Sequence, residues 1–141
     1  MQIELDDCVP KNKYDKESIA KARLVGFPEI NVILPQLLEW LQDPNWPVAR
    51  DVLDLLSYAG EEIIPHIRAI LVSQNGGWKY SLLTIGLVSK LAPSIRKSIR
   101  DELQRLAENP TENDIREEVN LLSKEILFKW DTGSTLSSLS H

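Results

Sequence analysis

Pro35-Gln-Leu-Leu-Glu-Trp-Leu-Gln-Asp-Pro-Asn-Trp46 is written a second time, loosely, as Pro65-His-Ile-Arg-Ala-Ile-Leu-Val-Ser-Gln-Asn-Gly-Gly-Trp78. Each copy opens on proline, is divided by a polar turn containing Asn, and resumes at Trp. The prolines stand 30 residues apart and the tryptophans 32. Beyond each Trp the apolar residues fall at helical spacing: Val48, Val52 and Leu55 in the first copy, Leu82, Ile85 and Val88 in the second. A period of about 30 residues with two helices in each unit is how an α-solenoid appears in sequence, and such stacks make extended binding surfaces.

Proline is tolerated only in the first turn of a helix, so the first helix of copy one starts near Leu34, with Ile33, Leu34, Leu37, Leu38 and Leu41 as its stripe. Asp43-Pro44-Asn45 breaks it. Asn45 or Trp46 then caps a helix carrying Pro47 in its first turn, with Arg50, Asp51, Asp54 and Ser57 facing out and Gly60 at its end. Glu61 and Glu62 sit where the next helix dipole favours acids. Asn75-Gly76-Gly77 is a breaker, and Trp78 to Leu91 reads as one helix, apolar on nearly all sides and therefore central.

Outside the repeat, Asp15 caps a helix that Gly26 stops, and this helix closes the N-terminal end of the stack. Residues 1–13 have no sustained period and read as an extended arm. A third, more degenerate hairpin opens at Pro93. Ile95, Ile99, Leu103 and Leu106 line its first helix, and Ile115, Val119, Leu122 and Ile126 its second. Thr111 with Asp114 resembles a capping box, with Asp where Glu or Gln is usual. Residues 1–130 are thus expected to form one domain, and 131–141, rich in Ser and Thr, a disordered tail.

The charge is −5 over 141 residues, with a single cysteine, Cys8. Nucleic-acid binders need a basic face to neutralise phosphates, so the balance argues against nucleic acid and suits a basic partner. Cys8 allows no internal disulfide and no cysteine-based metal site, and it reads as a spectator thiol. Acids occupy the first residues, where a signal peptide would be basic, and no run approaches the ~20 apolar residues of a membrane span. The expected location is the cytoplasm, with no membrane partner.

Little points to catalysis. His66, the one histidine outside the tail, follows Pro65 in a first helical turn with no second ligand at metal spacing, and reads as structural or solvent-facing. No phosphate loop, nucleophile elbow or HExxH is present. Paired acids such as Glu61-Glu62 and Glu117-Glu118 point about 100° apart on a helix and cannot converge as a dyad. No catalytic residue, metal or cofactor is therefore expected. Trp46 and Trp78, at equivalent places, read either as plugs over the inter-helix turns or as exposed interface anchors. Trp40 and Trp130 read as packing residues. If the second helices face a partner, Arg50, Asp51, Asp54 and Lys79 form one accessible strip flanked by Trp46 and Tyr80.

Leu37-Leu-Glu-Trp-Leu-Gln-Asp-Pro-Asn-Trp-Pro-Val-Ala49, with Ile64-Pro-His-Ile67 and Trp78-Lys-Tyr80, resembles a family of small bacterial proteins described as a domain of unknown function. The resemblance takes in Val9 to Asp15 and Glu108 to Thr111 and covers roughly residues 9–128. At Ser81 the chain departs from the family pattern, in which a second aromatic often follows Trp-Lys-Tyr. The resemblance implies a HEAT-like helical repeat and brings no activity, cofactor or catalytic residue.

The expected fold is all-α: a capping helix and three antiparallel helix pairs in a short right-handed solenoid, first helices outside, second helices inside and facing the partner. The expected function is a non-enzymatic protein-interaction module. A narrower version is an immunity or inhibitor-type binder of a basic protein, which the acidic balance permits without requiring. The alternatives are an accessory or regulatory subunit of an enzyme, or a HEAT-like nucleic-acid enzyme, which the charge and the short chain disfavour.

Overall fold

A computed structural model describes the backbone of residues 3–139 and the side chains as far as Thr132. The tail expected over 131–141 lies, from residue 133 on, outside the described side chains. Among the described residues the chain is helical throughout and holds no strand. The first helix, α1 (Lys16–Val25), begins where the Asp15 carboxylate accepts from the Ser18 amide at 3.1 Å, and ends at Gly26, whose φ of 76° a side chain would strain. The arm before it is not extended. It makes a 3-10 turn over Leu5–Cys8 and packs on α1, with Cys8 fully buried.

The repeat region begins with α2 (Leu34–Glu39) and α3 (Pro47–Leu56). A 3-10 turn, Glu29–Ile33, leads into α2, and Pro35 stands in its first turn, where no intrahelical bond is lost. The second copy gives α4 (Ile64–Leu71), entered through a matching 3-10 turn at Glu61–Ile63, and α5 (Gly76–Ile85). Two corrections concern α5. It starts inside the expected breaker, because the Asn75 side chain caps it by accepting from the Trp78 amide at 3.0 Å. Gly76 serves close approach rather than a turn: a Cβ there would collide with Asn113 Oδ1 and stand 2.6 Å from Glu117 Cγ. The helix expected to run on to Leu91 also divides at Gly86, which adopts φ 88°, ψ 17°, and α6 (Leu87–Lys90) continues in a new direction.

The long α7 (Pro93–Glu108) follows. Thr111 and Asp114 form a complete capping box on α8 (Glu112–Arg116). What reads as a single last helix is two, because Glu118 takes φ 61° and separates α8 from α9 (Val119–Leu139). The break turns Ile115 outward, 55% exposed, although its spacing predicts a core position.

The first helices α4 and α7 contact each other, as do the second helices α5 and α9, while α7 lies along α9 and α1 against α3. Leu37, Leu41, Val52, Leu56, Ile67, Leu71, Leu82 and Leu103 belong to one buried cluster that runs through these contacts. Packed against α4, α8 and α9, α5 is central. Leu82→Ala, which empties a fully buried site on it, is expected to cost about 2–5 kcal/mol in urea unfolding. A loss under about 1 kcal/mol would contradict that central place.

Candidate functional site

Lys79 decides which surface is free for a partner. Once α5 starts at Gly76, Lys79 shares a face with Leu82 and Leu83, the face turned inward. It is 1% exposed, and its ammonium lies 2.5 Å from Oδ1 of Asp114, itself fully buried in the first turn of α8. The second carboxylate oxygen accepts from the Thr111 amide at 2.9 Å. Burial by itself pushes the Asp114 carboxyl up. The hydrogen bond from Lys79, with those from Thr111, outweighs it and holds the group below its ordinary value of 3.8. The strip expected on the second helices therefore lacks one of its members: Lys79 is no rim residue but half of an interior ion pair.

The other expected site residues are not buried. Arg50 and Asp54 are exposed on α3. Asp51 is 3.6 Å from Lys16 of α1, because α1 packs on α3 and occupies part of that face. Tyr80 is 39% exposed. Trp46 is half-buried and meets Trp40 edge to face, ring centres 5.4 Å apart. Cys8, read as a spectator, is a core residue, and its burial, helped by the Asp7 charge, pushes the thiol up and away from the reactive thiolate.

Two open concavities lie beside α2 among the described residues. One, of about 300 Å³, runs between α2 and α4, lined by Leu38 and Glu39 on one side, His66 and Ile70 on the other, and Trp78. A second, also about 300 Å³, lies between the N-terminal segment and α2, lined by Val9, Pro10, Glu39, Trp40 and Trp46. The two equivalent tryptophans thus each wall one cleft, a role between the plug and the exposed anchor expected of them. Glu39, the last residue of α2, lines both clefts. Its carboxylate is exposed and makes no ion pair among the described residues. Neither cleft is lined by Lys or Arg. The Trp78 indole N–H is buried without an acceptor among the described residues. Sequence reasoning missed Glu39, which reads as an ordinary solvent-facing acid on an amphipathic helix.

The chain belongs to the DUF5071 family. The family, described as a domain of unknown function, matches residues 8–127, a span that includes both clefts and the Lys79–Asp114 pair. No curated protein matches the chain. Among the described residues of this DUF5071 chain, no group of three or more His, Cys, Asp or Glu could hold a metal ion. No described helix is long and apolar enough to cross a membrane.

Breaking a buried pair strands a charge, so Asp114→Asn is expected to cost about 3–5 kcal/mol. The pair also sets an acid limit. Because the folded carboxyl titrates below the unfolded one, its contribution is full above 3.8 and is lost as pH falls through the lower, folded value. Urea midpoints measured at neutral and acid pH should fall further for the natural chain than for Asp114→Asn. Equal falls would mean that the pair carries none of the acid sensitivity.

Proposed function

We propose that the chain is a non-enzymatic protein-interaction module, a short stack of HEAT-like helix pairs capped by α1, which holds a basic protein partner. The stacking of α4 on α7 and of α5 on α9 supports the repeat architecture, since successive units of a solenoid pack like helix on like helix. The observation that carries the functional reading is Glu39: an exposed carboxylate, without an ion pair among the described residues, shared by two tryptophan-walled clefts lined by no Lys or Arg. Aromatic walls with a charged rim are usual interface anatomy. The net charge of −5 extends the same complementarity over the surface. An inhibitor or immunity-type role against a basic protein is the narrower form of this reading. The binding layer in this reading is the first helices, because α1 covers part of α3, and Lys79 of α5 is taken up by α8.

Capture with the tagged full-length chain from its native cell, followed by gel filtration, tests the module. The expected result is a defined complex with a basic protein that dissociates as salt is raised, as exposed charge pairs are screened within about 10 Å at 0.1 M salt. Recovery of the chain alone, or bound to nucleic acid, would overturn the reading.

A further inference from the structure

We propose that the two clefts work together as one site for an extended segment of the partner, in which an Arg or Lys meets Glu39 and apolar side chains on either side of it enter against Trp46 and Trp78. This rests on the interaction-module reading and names the feature of the partner that is recognised.

Three observations converge on a peptide segment. Each cleft, at about 300 Å³, is at the lower end of the about 300–1,000 Å³ of small-molecule sites, a size that suits one side chain better than a whole cofactor. The clefts flank α2, and a helix with its side chains is about 10–12 Å across. An extended chain advances about 3.3 Å per residue and alternates its side chains between two faces, so side chains four positions apart share a face and reach both clefts at once, with the residue midway on the same face. Glu39 lines both and no Lys or Arg lines either, so the residue between the two apolar positions meets a carboxylate without an ion pair among the described residues.

The chemistry of the walls selects among ligands. A guanidinium or ammonium gains from a carboxylate and from a nearby indole face, while its aliphatic stem covers apolar wall. An acidic segment would bring its carboxylate against Glu39 with no Lys or Arg in the lining to offset it.

Blocked peptides of alanine carrying two Leu four positions apart, with one Arg midway between them, test the site by tryptophan fluorescence up to millimolar concentration. The full chain should bind the Arg peptide at least about tenfold more tightly than the same peptide with citrulline or Glu in the centre. Glu39→Gln should remove that preference while its thermal midpoint stays unchanged, and Trp78→Phe should weaken every peptide. The proposal fails if Arg and citrulline peptides bind alike, if no peptide binds, or if Glu39→Gln keeps the preference. It also fails if arginine amide alone binds as tightly as the peptide, since the site would then take a free cation. A captured basic protein that binds Glu39→Gln unchanged would place the interface elsewhere and leave the module reading standing. A Glu39-dependent Arg peptide without any captured protein would do the reverse.

Discussion

A lysine and an aspartate, paired away from water, join the middle of this chain to its end. Removing two charges from water costs several kcal/mol each, and their attraction offsets this only where the remaining hydrogen-bonding capacity is met. Asp114 meets it by accepting from Lys79 and from the Thr111 amide, so a capping box and an ion pair share one carboxylate. Apolar packing between α5 and its neighbours would tolerate a slide along the helix, whereas a charge pair accepts one position. Gly76 lets the start of α5 come close enough to α8 for that position to be reached. The same pairing consumes the cation that would otherwise sit beside Tyr80, and so shifts attention to the layer where a charge is left over.

That layer owes its clefts to short helices. With 6 and 8 residues, α2 and α4 are too brief to be stable alone, and they persist because Leu34, Leu37, Ile67 and Leu71 are buried. Each is entered through a 3-10 turn and a proline. Short helices side by side leave room at their ends, and Trp46 and Trp78 stand in that room without filling it. The longer α7 and α9 lie along each other instead, tied by the Arg100–Asp131 pair at 2.7 Å, while the Trp130 indole of α9 donates to Ser89 Oγ of α6.

The all-helical class was legible in the sequence because its signals are local. Apolar spacing at Leu34, Leu37 and Leu41, prolines at first turns, and the caps Asp15 and Thr111 depend on a few neighbouring residues only. The breaks at Gly86 and Glu118 were not legible, for two reasons. A stretch apolar on nearly all sides has no phase that could shift at Gly86, and Glu118 is a residue type that rarely takes the left-handed conformation it adopts here, so nothing in the sequence marks the break. Lys79 was misplaced for a related reason: reading Asn75-Gly76-Gly77 as a breaker hid the face that it shares with Leu82 and Leu83. Cys8 carried no periodic signal, so the packing of its turn on α1, which buries it, was invisible. Of the candidate site, the equivalence of Trp46 and Trp78 was readable, but the clefts were not, because they are bounded by residues far apart in sequence, Val9 against Trp46 and Leu38 against His66.

The account turns on Lys79 being an internal tie rather than a contact for a partner, and a double-mutant cycle with Lys79→Met and Asp114→Leu addresses this most directly. Each single change strands one buried charge, whereas the double change replaces both with apolar groups of similar shape. Unfolding free energies should therefore show the double variant less destabilised than the two single losses combined, by about 1–3 kcal/mol. Losses that add to within about 0.5 kcal/mol would mean that the two side chains do not act as a pair, and the tie at the centre of the account would be absent.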